Sequence, residues 1–385
     1  MKSWVEISGE RLASNFRAVQ TAAGEGVEVL AVIKANAYGH GATLCAPLLV
    51  GAGANWLGVS DVEEGIAVRH VLGQDDTRIL VMCGMEKDDA AELLAHNLTP
   101  VVWAPSHIEA LEAAAAGANT RCRVHLEIDS GMSRQGALPG DDLQNIIAAL
   151  NKSTRVLCEG LMTHLCCSET AGADTTDSQW QQFLLASDML FVNQLMPEFI
   201  HICNSSAVDE GAPLKWLRER FDDGDTQLMV RTGFALYGHC LPIDGDEAHA
   251  PLLAPELATV LTWKTRVIGL RDIAPGTTVG YGATFTAAQP MRLALLPIGY
   301  ADGFRRAGSS GIGDGWVVIH GMHAPVVGRV SMNLTTVDVT NINDVAEGTE
   351  VTLLGEGATA EDHANWSGTI PYDILCGIRA RFTGV

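Results

Sequence analysis

Short runs of β-favouring apolar residues recur along the first part of the chain. They are Val27–Lys34 (VEVLAVIK), Trp56–Asp61 (WLGVSD), Arg78–Gly84 (RILVMCG), Thr99–Ala104 (TPVVWA), Arg123–Asp129 (RVHLEID), Cys158–Leu165 (CEGLMTHL), Phe199–Asn204 (FIHICN) and Leu228–Thr232 (LMVRT). Several are nearly continuous in apolar residues, the pattern of strands buried on both faces. Helical patterns lie between them, among them Lys87–Asn97, Ser106–Gly117, Asp141–Asn151 and Asp177–Leu195. Eight strands alternating with helices over about 240 residues predict an α/β fold, a (β/α)8 barrel. An open doubly wound sheet alternates the same way. The count of eight, and the lack of a G-x-G-x-x-G after the first strand, favour the barrel.

Beyond about residue 240 the texture changes. His239–Glu256 is rich in Pro, Gly and acidic residues and reads as a linker. The runs that follow are strand-like, with little helix: Leu257–Leu270, Met291–Ile298, Trp316–His320, Val326–Val339 and Val351–Leu354. Turn signals such as Pro275–Gly276 and Asp314–Gly315 separate them. The expected division is a barrel over residues 1–239 and a mostly-β domain over 240–385.

Composition narrows the partners. The net charge is −21, a surface that repels phosphate backbones and anionic lipid, so neither a nucleic-acid nor a membrane partner is expected. No apolar run is long enough to span a bilayer, and MKSWVEISGERL has no apolar signal region. The nine cysteines include no C-x-x-C pair. Reduced cytoplasmic thiols explain them better than disulfides or a metal site.

In a barrel the chemistry collects at the C-terminal ends of the strands. Those ends supply Lys34, Asp61, Cys83, Asp129 with Arg134 nearby, His164, Asn204 with Ser205, and Arg231, a polar and basic ring in an acidic protein. Lys34 closes an otherwise apolar run. It is either a solvated charge past a strand or a desolvated amine able to bond a carbonyl cofactor.

The run AVIKANAYGHGA (31–42) resembles the pyridoxal-phosphate lysine motif of alanine racemases. The resemblance continues through IDSGMSRQG (128–136), MTHL (162–165), NSSA (204–207), MVRTGFALYG (229–238), GYGATFTA (280–287), LLPIGYADGF (295–304), VGRVSMNLTTVDVT (327–340) and IPYDILCGI (370–378). It implies a pyridoxal 5'-phosphate enzyme with a (β/α)8 barrel and a C-terminal β domain, racemising alanine as a head-to-tail homodimer. By the same resemblance, Lys34 holds the cofactor and is one base. Tyr281 of the other subunit is the second, on the opposite face of Cα. Arg231 faces the pyridine nitrogen, and His164 packs beside the ring and supports Arg231. Tyr38 and Ser205 hold the phosphate with the backbone of Gly233 and Phe234, and Asn204 orients them. Arg134 and the Met332 N–H reach the substrate carboxylate, Tyr300 lines the access channel, and Asp302 holds that channel's loop.

The sequence departs from the family pattern at several positions. Glu127 stands where many members carry a lysine that becomes carbamylated and props the arginine matched by Arg134. Asn333 replaces an aspartate, and Ala380 falls where some members have a tyrosine that narrows the pocket. Cys166 and Cys167 follow His164 where small residues are common. These changes open a second reading, a racemase of serine or of broader specificity. A fold-related decarboxylase of basic amino acids would offer a cysteine where GYGATF offers Tyr281. A single-domain pyridoxal-phosphate carrier would lack residues 240–385.

Overall fold

The computed structural model describes residues 2–222, 224–245 and 251–383 and divides into two compact units. One comprises Glu10–Ala37 and Ala42–Ala258; the other comprises Met1–Gly9, Tyr38–Gly41 and Thr259–Val385. The division differs from a cut at 239/240 because β1 (Ser3–Ile7) belongs with the C-terminal unit, as does the four-residue stretch Tyr38–Gly41. Part of the expected linker, residues 246–250, lies outside the described residues.

In the first unit eight parallel strands close on themselves: β2 (Val27–Val32), β3 (Trp56–Val59), β4 (Arg78–Val81), β5 (Thr99–Val102), β6 (Cys122–Glu127), β7 (Val156–Met162), β8 (Phe199–His201) and β9 (Gln227–Thr232). Pairing of β2 with β9, from Val27 opposite Leu228 to Ala31 opposite Thr232, closes the cylinder and excludes the open sheet. Each strand starts within two residues of the start of an apolar run and ends no more than three residues before that run does, because a strand buried on both faces leaves a nearly continuous hydrophobic mark. The helices fall where expected: Ala90–Ala95, Pro105–Gly117, Asp141–Lys152 and Asp174–Val192. A helix over Gly9–Ala23, buried through Leu12, Phe16 and Val19, joins β1 to the barrel.

Residues two apart on a strand share a face. On β6 this aligns Arg123, His125 and Glu127; Lys34 lies two residues past the end of β2, where the chain turns. Gly160 on β7 makes room for the His125 ring: a Cβ there would sit 2.3 Å from Nδ1.

The second unit is mostly β. Its main sheet contains β1, β10 (Leu261–Arg266), β15 (Trp316–Ile319), β16 (Met322–Pro325), β18 (Glu350–Leu354) and β19 (Arg381–Phe382) in the order β16-β15-β18-β10-β1-β19. A smaller sheet runs β11 (Gly269–Ile273), β14 (Met291–Leu296), β17 (Thr335–Asp338), and β12 (Thr278–Val279) pairs with β13 (Phe285–Thr286). Leu257–Leu270 is therefore not one strand: the chain leaves one sheet after Arg266 and enters the other at Gly269. Of Val326–Val339 only 335–338 is a strand. Two helices, Ala360–Ser367 and Pro371–Cys376, complete the unit. The first carries a reciprocal cap in which Thr359 and Asp362 bond each other's backbone N–H.

Candidate active site

The backbone turns sharply after β2. Ala35, Asn36, Ala37 and Tyr38 all have φ between 51° and 56°, a short left-handed turn beginning beside Lys34. For L-residues this conformation costs about 1–2 kcal/mol each, so the surroundings must hold it. Asn36 N–H donates to Glu64 Oε1 at 2.8 Å, Ala42 N–H donates to Asn36 Oδ1 at 2.9 Å, and Ala37 N–H donates to the Ile33 carbonyl at 2.8 Å. Gly39, at φ 81°, follows; a Cβ there would lie 2.2 Å from the Leu375 carbonyl oxygen. Strain of this kind collects at functional sites.

Arg231, on β9, is 5% exposed. Its Nη1 donates to the His201 carbonyl at 2.8 Å and to His201 Nδ1 at 3.1 Å; its Nη2 donates to the Thr163 carbonyl at 2.6 Å and to His164 Nδ1 at 3.4 Å. Arginine has five N–H groups. Four are engaged, and among the described residues Nε–H has no acceptor. Burial pulls the Arg231 pKa down to about 10, with the Glu127 charge opposing, so the guanidinium stays protonated at neutral pH.

An arginine can only donate, so both imidazoles accept at Nδ1 and carry their protons on Nε2. The chain continues inward: His201 Nε2–H donates to His125 Nδ1 at 2.8 Å, and His125 Nε2 stands 3.4 Å from Glu159 Oε1. Glu159 is paired with Arg78 and, at 2.8 Å, with Arg123. Burial alone would raise the Glu159 pKa, but His125, Arg78 and Arg123 outweigh it and hold it at about 2. A buried polar line thus runs from Arg231 toward the N-terminal ends of the strands. Burial, then the charges of Arg231, Arg134 and Lys34, depress His164 to about 3; burial and Arg231 push His201 well below its ordinary value.

Lys34 is half-buried, and its charge acts on His164 together with those of Arg231 and Arg134. Asn204 caps the helix Ser205–Glu210 through Oδ1, at 2.9 Å from Ala207 N, and its Nδ2 donates to Ser168 Oγ at 2.8 Å. Ser205 Oγ accepts from Gly233 N–H at 3.1 Å and Ala235 N–H at 3.4 Å, while Phe234 opens the turn Phe234–Tyr237. The Ser205 hydroxyl, which keeps its own proton to donate, and the turn it holds at the ends of β8 and β9 suit a phosphate. With the remaining Nε–H of Arg231, which requires an acceptor such as a ring nitrogen, they fit the expected cofactor. No group of three metal-ligating side chains occurs among the described residues.

Glu127, 2% exposed, accepts from Gln135 Nε2, which also donates to the Met82 carbonyl at 2.9 Å. Burial raises its pKa, against Gln135, Arg231 and Arg134. Glu127 thus has its hydrogen bond from Gln135, and Arg134 acts on it through charge. Gln135, His125, His201 and Glu159 escaped sequence reasoning. For His125, Glu159 and His201 the available signal was a polar residue within an otherwise apolar strand; Gln135, in the loop after β6, carried none.

The second unit carries the other expected residues. Tyr281, in the turn Tyr281–Ala283, is 71% exposed, Met332 is 56% exposed and Tyr300 is 44% exposed. Tyr300 and Met332 are brought together: Tyr300 N–H donates to the Ser331 carbonyl at 3.1 Å and Ala301 N–H donates to the Met332 carbonyl at 3.0 Å. Met332 N–H has no acceptor among the described residues. Asp302 holds the loop as expected, accepting Lys2 Nζ at 2.6 Å and Gly299 N–H at 3.0 Å. The Tyr38 ring centroid lies 6.0 Å from that of Tyr372, and burial raises the Tyr38 pKa.

A sequence model of the alanine racemase N-terminal domain matches residues 7–240, and one of the C-terminal domain matches residues 260–385. An alanine racemase of Syntrophobacter fumaroxidans is 35% identical, over 99% of this chain and 96% of its own length. The structure of an alanine racemase of Clostridium difficile 630 superposes with a TM-score of 0.89 at 30% identity, covering all of this chain and 96% of that one. An alanine racemase of Bartonella henselae, with covalently bound pyridoxal phosphate, is similar at a TM-score of 0.81 and 26% identity, covering 100% of both chains.

Proposed function

Because the chain belongs to the alanine racemase family and interconverts L- and D-alanine, we propose that it does so with two bases, Lys34 and Tyr281 of a second copy, acting on opposite faces of the substrate Cα. The observation that carries this reading is the pairing of a lysine at a strained barrel turn with a tyrosine that a single chain leaves 71% exposed. Pyridoxal 5'-phosphate, when bound, supplies an aldehyde for covalent attachment and a conjugated ring that acidifies the Cα–H. Lys34 holds it, and Ser205, Gly233, Phe234 and Tyr38 take the phosphate, with Asn204 keeping Ser205 in place.

Racemisation needs a proton removed on one face and returned on the other. Lys34 serves one face and Tyr281 the other, and their roles exchange with the direction of reaction. Arg231 stays protonated and has only Nε–H left to offer, so it would hold the cofactor by donating to its ring nitrogen and would leave that nitrogen without a proton. His164, neutral because its pKa is held near 3, accepts from Arg231 Nη2 and helps hold the guanidinium in position. Arg134 and Met332 N–H orient the substrate carboxylate, and Tyr300 lines the access route. The exposure of Tyr281, Tyr300 and Met332 supports a homodimer in which each copy completes the other's site. Cytoplasmic residence is part of this reading, supported by nine free cysteines.

Subunit mixing tests it. Lys34→Ala and Tyr281→Phe homodimers should each be inactive. Their heterodimers carry both lesions in one site and none in the other, so activity should partly return. Failure to recover, with subunit exchange demonstrated, would falsify the shared site. Borohydride treatment of the wild type should fix the cofactor to Lys34; attachment at Lys264 instead would refute the lysine assignment.

A further inference from the structure

We propose that Cys166 and Cys167 form a dithiol site for a trivalent, thiol-seeking centre with two exchangeable ligands, the chemistry of monosubstituted arsenicals. In an extended chain adjacent side chains point to opposite faces. The bend at Cys166, just past β7, instead brings the sulfurs to 3.7 Å. Two sulfurs bonded to one centre at about 2.3 Å, the length of a zinc–thiolate bond, sit about 3.3 to 3.8 Å apart for angles from right to tetrahedral. A disulfide would require closure to about 2.05 Å. Both residues are half-buried, within reach of a small reagent. No third ligand-forming side chain joins them among the described residues, so a four-ligand metal cage is not available and a centre satisfied by two sulfurs fits.

The capture balances simply. An arsenoxide meets two thiols, two S–H bonds break, two As–S bonds form, and the oxygen leaves as water with arsenic still trivalent.

The bend is tied on both sides to the site in the barrel. Cys166 N–H donates to Gln179 Oε1 at 3.0 Å, and Gln179 Nε2 donates to the His164 carbonyl at 2.9 Å. Past the pair, Thr170 N–H donates to the Cys167 carbonyl at 3.1 Å, and Ser168 Oγ accepts from Asn204. A bound centre therefore stiffens the segment that joins His164 to the Asn204 cap.

Phenylarsine oxide on the full-length protein, followed by native mass spectrometry, tests the site. One adduct per chain is expected, removed by 2,3-dimercaptopropanol and resistant to excess 2-mercaptoethanol. Cys166→Ser and Cys167→Ser should each weaken capture by roughly a hundredfold or more, since two-point attachment becomes one-point. Cys83→Ser and Cys376→Ser, at exposed single thiols, should leave it unchanged. Unchanged capture in either Cys166→Ser or Cys167→Ser, or no adduct on the wild type, overturns the proposal. The imidazole 15N resonances of His164 should move on capture; resonances that stay put would refute the link between the bend and the site.

Discussion

A guanidinium with four of its five N–H groups committed to protein acceptors has one direction left to act in, and at Arg231 that direction is Nε–H. Glu127 is a comparable case: a buried carboxylate whose hydrogen-bond donor is Gln135. Gln135→Leu removes that donor and should cost about 1–3 kcal/mol of stability, read from urea unfolding at pH 7. A loss below the error of the measurement would show that Glu127 finds another partner. Residue 380 sets a different expectation. If Ala380 leaves the pocket wider than a tyrosine would, Ala380→Tyr should lower the ratio of kcat/KM for serine to that for alanine. A difference of one small group is worth about 1–3 kcal/mol, or roughly 10–200-fold. A ratio that does not change would place residue 380 away from the substrate.

Two elements carry unusual conformational cost. The left-handed turn over Ala35–Tyr38 rules out β-branched side chains more strongly than it does alanine. Ala35 is exposed, so replacing it tests backbone cost without repacking. Ala35→Val should destabilise by about 1–2 kcal/mol, whereas Ala35→Gly should fall within about 1 kcal/mol of wild type, because relief of strain offsets the entropy of glycine. Equal stability of the two variants would mean that the turn is not held left-handed. The polar line inside the barrel is the second such element. Glu159→Gln keeps a polar group 3.4 Å from His125 Nε2 but removes its charge, while Glu159→Leu leaves His125 Nε2–H in apolar surroundings and two arginines without their carboxylate. Nitrogen-15 spectra of the imidazoles should show His125 and His201 protonated at Nε2 in wild type and Glu159→Gln, and altered in Glu159→Leu. Wild-type spectra with Nδ1 protonated would contradict the donor directions derived from Arg231.

Across the whole molecule the buried imidazoles dictate how it meets acid. His164 and His363 have folded pKa values of about 3 and about 4 against an ordinary 6.5, and those of His125 and His201 are lowered as well. The unfolded chain therefore binds more protons than the folded one below pH 6.5. Stability from these groups is complete above pH 6.5 and declines as the pH falls toward 3, by about 1.4 kcal/mol per pH unit for each histidine in its window. Glu159, folded at about 2 against 4.5, adds a loss only as the pH drops below 4.5. Denaturant unfolding measured from pH 8 to 4 should show a plateau, then a decline that begins near 6.5. A plateau extending to pH 5 would show that these histidines are not buried as neutral rings.

The sequence by itself determined the barrel and the family. Strands buried on both faces must be largely apolar, so most of β2–β9 left nearly continuous marks, and Lys34, His164 and Arg231 stand out as polar groups at or just past the ends of such marks. Local spacing could not reveal where an edge is closed by a distant segment. The pairing of β1 with β10, from Ser3 opposite Thr265 to Ile7 opposite Leu261, took the N-terminus out of the barrel unit. The split of Leu257–Leu270 between two sheets likewise depends on partners that only the folded chain supplies. The same holds for chemistry. Glu127 sits three residues from Ser130 and eight from Gln135, yet which neighbour bonds it was decided by the loop that carries Gln135 back over β6. The contact of Arg231 with His201, and of His201 with His125, joins strands that are far apart in sequence. A hydrogen bond is short-range and directional, so its partner is chosen by tertiary geometry, whereas burial is written into composition residue by residue.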